Sequence, residues 1–198
     1  MDKTIEAYNA HAASWTAARV GGSFWEPERQ HLKEYLPPGS RLIEFGCGPG
    51  WDGVELSRDY NYTGLDGSSA MLTLAAKRMP DTPLWLQNLY DLNLPEGEDL
   101  FDGFWCAAVL LHIPKKDIIS VLSGMKKMLR PAAAGFISVK TGSGEDEVSR
   151  PDCPAPRHFS YWAGEEFSVT LRDAGYSVLE YRFRAADKND WHEFFVAC

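Results

Sequence analysis

Three glycines at alternate positions, Gly46, Gly48 and Gly50, follow the apolar run Leu42 to Phe45, and an acid, Asp66, stands about twenty residues further on. An apolar strand, a loop almost without side chains and an acid ending a second strand form the front half of a nucleotide-type cofactor site. The loop backbone can approach a ligand closely, and one carboxylate can accept from both hydroxyls of a ribose. Two plainer readings stand beside this one. Glycines also shape tight turns, and a strand-end acid can cap the next helix, although Ser68 and Ser69 stand nearer for that task. The dinucleotide fingerprint has its third glycine where this chain has Trp51, and an indole there keeps a pyrophosphate off the following helix. The loop therefore suits a cofactor that need not carry phosphate.

His112 is the second residue able to do chemistry. It follows the apolar run Phe101 to Ala107, and an imidazole there can take a proton from an oxygen or nitrogen nucleophile, or simply pack and bond at a strand exit. His11 and His158 are candidates for the substrate side, whereas His31 and His192 read as surface or strand residues. Arg19 and Arg157 can hold an anionic substrate or sit on the surface. Trp15, Trp25, Tyr161 and Trp162 suggest a planar or apolar substrate, or fill a core. No histidine pair has metal-ligand spacing, and the four cysteines, Cys47, Cys106, Cys153 and Cys198, form no CxxC. Neither a metal site nor a disulfide framework is expected.

The elements that must position these residues alternate. Ile5, Tyr8, Ala12 and Trp15 recur at helical spacing, and a second helix is predicted from Phe24 to Leu36, before Pro37-Pro38-Gly39. Strands follow at Leu42–Phe45, Tyr62–Leu65, Leu84–Leu86 and Phe101–Ala107, with helices at Trp51–Arg58 and Ser68–Arg78 between them. The fourth strand is nearly continuous in apolar residues, as strands buried on both faces require. Ile118, Ile119, Leu122, Met125 and Leu129 stripe the next helix. Phe136–Val139, Tyr176–Phe183 and Trp191–Ala197 complete the strands, with a helix at Glu165–Asp173. The expected fold is α/β: a Rossmann-like open, mostly parallel seven-stranded sheet with helices on both faces and an N-terminal helical cap over residues 1–36. One domain is expected for residues 1–198. Residues 141–158, rich in Gly, Ser, Pro and charge, read as a long mobile loop or a lid over the substrate.

Several stretches together carry a resemblance. Leu42 to Gly50 (LIEFGCGPG) resembles the first motif of the class I S-adenosylmethionine-dependent methyltransferases, and Tyr62 to Leu72 (YTGLDGSSAML) resembles their second. Phe101 to Pro114 (FDGFWCAAVLLHIP) resembles the fourth-strand motif, and Leu129-Arg130-Pro131 the approach to the fifth strand. Tyr8 to Trp15 is similar to the cap helix of small bacterial members, and Arg157 to Trp162 to their late aromatic segment. The resemblance implies methyl transfer from S-adenosylmethionine to a small-molecule acceptor by in-line displacement. It places the cofactor against Glu44, Gly46, Cys47, Gly48 and Gly50, then Asp66, Gly67, Ser68 and Met71, then Asn88, Leu89 and Ala107. Glu44 would organise the loop near the cofactor's ammonium, and Asp66 would hold the ribose. Asn88 stands where the family often has an aspartate for the adenine, and its amide can both accept and donate, or it is a polar turn residue before Leu89-Tyr90. Met71 and Leu89 sandwich the adenine or belong to the core. Tyr8 and Trp15 could face the sulfonium with their rings, or pack. His112 is the catalytic candidate, with the reservation that the family shows a histidine here whatever its substrate.

The 20 basic and 28 acidic side chains give a formal net charge of -8, which disfavours nucleic acid as a partner. No apolar run approaches a membrane span and Met1 to Thr4 lacks a signal-peptide core, so a soluble, cytoplasmic protein is expected. Oligomeric state stays open. Two other classes compete: a catalytically silent methyltransferase-like partner module, which the intact loop and acids oppose, and an NAD-dependent oxidoreductase, which Trp51 and the long stretch before the first strand oppose.

Overall fold

The computed structural model describes residues 3–19, 24–186 and 190–198. Strands β1 (Arg41–Phe45), β2 (Asn61–Asp66), β3 (Leu84–Leu86), β4 (Phe101–Ala107), β5 (Leu129–Lys140), β8 (Ser177–Arg184) and β9 (Trp191–Ala197) form one sheet in the order β3-β2-β1-β4-β5-β9-β8. The first five run parallel, and β9 lies antiparallel to both β5 and β8. The expected mostly parallel seven-stranded sheet is what the chain forms.

Parallel strands need apolar residues on both faces because helices cover both. β1 sends Ile43 and Phe45 into one core and Leu42 into the other, and β4 divides Phe104 and Cys106 from Trp105 in the same way. Ile118, Val121, Leu122 and Met125 of α5 (Ile118–Lys126), with Phe167 and Leu171 of α6 (Gly164–Asp173), cover the first face. Leu32 of α2 (Glu26–Leu32), Leu56 of α3 (Trp51–Asp59), and Ala75 of α4 (Ser69–Arg78) cover the second. Trp105 stacks on Phe136 at 4.3 Å within that second core. Each such fully buried aromatic stabilises the fold by roughly 1.5–3 kcal/mol.

Three expectations are corrected. The second helix ends at Leu32, and Lys33 to Leu36 tighten into turns that bond back to Gln30, His31 and Leu32 ahead of Pro37. Leu129 does not extend the helical stripe: it begins β5, opposite Phe101. Pro131, which has no N–H, and Ala132, at φ 64°, lie in the bulged start of that long strand. Residues 141–158 are largely an antiparallel hairpin, β6 (Glu145–Arg150) and β7 (Cys153–Ser160), rather than a structureless loop. Pro154 and Pro156 face outward on β7, while Cys153, Arg157 and Phe159 are buried. This alternation is what an edge strand with prolines requires.

The hairpin is pinned to α1 (Lys3–Ala17). Ser14 Oγ donates to the Asp152 carbonyl at 2.9 Å, Arg19 pairs with the Asp152 carboxylate, and Thr4 Oγ1 accepts from the His158 amide at 3.1 Å. Helix and hairpin together roof the carboxyl ends of β1 and β4. Those strands lie side by side where the chain's progress across the sheet reverses, the position at which open α/β sheets bind ligands.

Candidate functional site

Under this roof lies a cavity of about 880 Å³. Its floor begins at the β1–α3 turn, where Gly46, Gly48 and Gly50 have φ of 73°, 52° and 83°, a left-handed backbone that favours glycine. A Cβ at Gly46 would stand 2.4 Å from Val109 Cγ2, so the turn packs against the β4 exit. A Cβ at Gly48 would meet nothing within 4 Å. Gly50 faces away: a Cβ there would meet Met79 and Ala75 of the second core, so its role is to shape the turn.

Asp66, at the end of β2, accepts from the Gly48 amide at 2.8 Å through Oδ2 and from the Ser68 amide at 2.7 Å through Oδ1. Each oxygen keeps a further lone pair for a ligand. Burial raises its pKa, and the amides of Ser68, Gly48 and Gly67 pull the other way. Ser68 is drawn into local structure. Its hydroxyl caps α4 by accepting from the Met71 amide and itself donates to Asn9 Oδ1 at 2.8 Å.

Glu44 is buried beside the loop and accepts from the Tyr62 hydroxyl at 2.5 Å. Burial, then Asp52, drives its carboxyl well above the usual range. Asp52, in the first turn of α3, pairs with Arg29 and accepts from Trp105 Nε1 at 3.4 Å. Glu44, Asp52 and Asp66 all line one end of the cavity. Nothing in the spacing of Asp52 distinguishes it in sequence from an ordinary helix-start acid. Cys47, Gly67, Met71, Asn88, Leu89 and Ala107 complete this end. Asn88 Oδ1 accepts from the Tyr90 amide at 3.1 Å, Met71 is fully buried, and Leu89 packs against the first core.

The opposite wall is built from remote segments. His112 Nδ1 lies 2.8 Å from the His158 carbonyl, which can only accept, so Nδ1 carries the proton and Nε2 is free to accept. Nε2 lies 2.9 Å from the Tyr8 hydroxyl, which therefore donates to it. Arg157 Nη1 donates to the same hydroxyl at 3.1 Å. Burial, with the Arg157 and Lys140 charges, takes His112 down to about 3 and keeps it neutral near pH 7. Tyr8 meets Trp15 edge to face at 5.6 Å, and Trp15 stacks on Trp51 at 5.4 Å. Lys140, Arg150, Arg157 and Arg19 also line the cavity, the three arginines all acting on Lys140, so the cations form a cluster as Glu44, Asp52 and Asp66 do. His11 and the His158 ring do not line the cavity; His158 contributes its carbonyl, and its ring bonds Ser160. Among the described residues no group of three His, Cys, Asp or Glu is arranged to hold a metal ion, and no helix is long and apolar enough to cross a membrane.

Residues 42–132 match the family described as "Methyltransferase domain". The fold is that of S-adenosylmethionine-dependent methyltransferases of known structure. It is 25% identical over 157 residues to the O-methyltransferase cnsE of Penicillium expansum, covering 72% of this chain and 54% of that protein. The chain spans about half or less of the length of the first curated relatives it matches. Among solved structures, it is similar to the 1,6-didemethyltoxoflavin-N1-methyltransferase of Burkholderia thailandensis, described with bound 1,6-didemethyltoxoflavin and S-adenosylhomocysteine. The TM-score is 0.74 at 18% identity, over 98% of this chain and 84% of that one. A S-adenosylmethionine-dependent methyltransferase of Methanosarcina mazei superimposes with a TM-score of 0.74 at 17% identity, over 84% and 95% of the two chains.

Proposed function

We propose that this protein transfers a methyl group from S-adenosylmethionine to a small-molecule acceptor. The observation that carries the reading is the acidic end of the cavity: a glycine loop with open space at Gly48, a strand-end carboxylate with lone pairs to spare, and two further acids beside it. These groups fit a ligand bearing ribose hydroxyls and cationic centres. Asp66 would hold the ribose, Glu44 and Asp52 would face the ammonium side, and Asn88 would meet the adenine between Met71 and Leu89. Gly46, Cys47, Gly48, Gly67 and Ala107 let backbone approach. The chemistry supplied with the cofactor bound is a methyl carbon open to in-line attack, with a neutral thioether leaving.

The chain's own contribution is alignment and exclusion of water, for which about 7–11 kcal/mol is attainable in favourable systems. Tyr8 and Trp15 close the roof over the reacting region, and the Tyr8 hydroxyl is fixed by His112 and Arg157. His112 acts as a neutral acceptor that orients Tyr8. With a pKa near 3 it is a poor general base at neutral pH. An acceptor that arrives as an anion or a thiol needs no base.

Thermal-shift titration of the purified protein with S-adenosylmethionine, S-adenosylhomocysteine and NAD tests the reading. Both adenosyl ligands should raise Tm, and Asp66→Asn should weaken their binding at least tenfold, about 1.4 kcal/mol, while the variant stays folded. Stabilisation by NAD alone would overturn the proposal, and a folded protein indifferent to all three would make it a silent partner module.

A further inference from the structure

Arg157 is 2% exposed, lines the cavity, and has no carboxylate partner among the described residues. Its Nη1 is spent on Tyr8, but Nε and Nη2 have no hydrogen-bond partner. Those two nitrogens form one edge of the planar guanidinium, with parallel N–H bonds that match the oxygen pair of a carboxylate or two of the three oxygens of a phosphonate. A buried cation with two empty donors is costly to keep for packing alone.

Its surroundings sharpen the point. Arg157 lies 5.5 Å and Lys140 Nζ 4.7 Å from the centre of the Phe159 ring, and Lys140 is itself buried. Burial first, then Arg150, Arg157 and Arg19, pushes the Lys140 pKa down to about 8. The carboxylate on this side, Asp152, is paired with Arg19. Phe159 and Trp191 supply aromatic surface beside these cations. The two donors of Arg157 that have no partner, in a cavity also lined by Lys140, Arg150 and Arg19, are left for a ligand to answer.

We infer that the Nε/Nη2 edge of Arg157, with Lys140 beside it, binds a two-oxygen anionic group on the methyl acceptor, which is therefore a small acid with an apolar or aromatic body. The inference rests on the methyltransferase reading for the word acceptor, but the anion subsite itself does not depend on it.

Three probes with one ring and different heads test the subsite: benzoate, phenylphosphonate and neutral benzamide, titrated calorimetrically into the protein with and without saturating S-adenosylhomocysteine. At least one of the two anions should bind ten or more times tighter than benzamide. Preference for benzoate assigns a carboxylic acid and preference for phenylphosphonate assigns a phosphonate-type head. Arg157→Gln should abolish the preference, and Arg157→Lys, which keeps the charge without the fork, should retain only a small part of it. Both variants should bind S-adenosylhomocysteine as the wild type does, which verifies their folding. If either fails to fold, Lys140→Met takes its place and should weaken the anions severalfold with benzamide unchanged. Equal binding of all three probes by the wild type would overturn the inference, as would a preference that survives Arg157→Gln. Anion preference without any S-adenosylhomocysteine binding would leave the subsite standing and remove the methyltransferase reading instead.

Discussion

His112 shows how a residue type with a familiar reputation is reassigned by its partners. Both ring nitrogens are engaged, one by the His158 carbonyl and one by Tyr8, and the ring is held neutral. In the unfolded chain it would take up a proton from about pH 6.5 downward, whereas in the folded protein it resists until about pH 3. Its contribution to stability is therefore complete above pH 6.5 and is lost as pH falls toward 3. Glu44, Asp52 and Asp66, with raised pKa values, act in the opposite sense, since they gain protons more readily folded than unfolded. Urea unfolding of wild type and His112→Asn between pH 7 and 4 separates the two. The wild type should lose up to about 1.4 kcal/mol per pH unit more than the variant, and parallel curves would contradict a neutral His112. Much of this residue level was legible in advance. Gly46, Gly48 and Asp66 sit where their spacing said, because a glycine turn and a strand-end acid are local features. The relay from Arg157 through Tyr8 to His112 was not, because its members are joined only by the fold.

At the level of elements, the β1–α3 turn separates two uses of glycine. Gly46→Ala would add both left-handed strain, roughly 1–2 kcal/mol, and a collision with Val109, so it should lower Tm markedly. Gly48→Ala carries the strain without the collision, because the space beside it is open. It should remain folded yet bind S-adenosylmethionine at least tenfold more weakly, and calorimetry on both variants checks the pair. The β6–β7 hairpin shows why a sequence reading can miss an element. Glu145, Asp146 and Glu147 lie exposed on β6, and Pro154 and Pro156 interrupt β7, so composition signals a loop while the cross-strand register makes a hairpin. The inner core strands had no such ambiguity, since Phe104 and Trp105 are adjacent apolar residues bound for opposite faces.

Across the whole molecule, buried charge ties the N-terminal helices to the far side of the sheet. Arg184 at the end of β8 pairs with Glu28 of α2 and with Glu193 of β9 at 2.5 Å, both acids being nearly inaccessible. Arg184→Met would leave two carboxylates buried together without the cation they share, with Arg182 still acting on Glu193. Denaturant unfolding should show a loss of about 3–5 kcal/mol, the range expected when one partner of a buried ion pair is removed. A loss below 1 kcal/mol would mean that water reaches these acids. The clustering of cations in the cavity is likewise a property of the whole, because Lys140, Arg150, Arg157 and Arg19 come from β5, β6, β7 and the segment just past α1. No window of sequence displays that clustering.

Helix α1 touches both walls of the cavity at once: Ile5 lies so close over Gly67 that a Cβ there would stand 2.6 Å from Ile5 Cδ1, while Tyr8 grips His112 and Arg157. Lifting that helix would uncover donor and acceptor positions together. Under the proposed function, donor and acceptor would then enter and leave by the same opening.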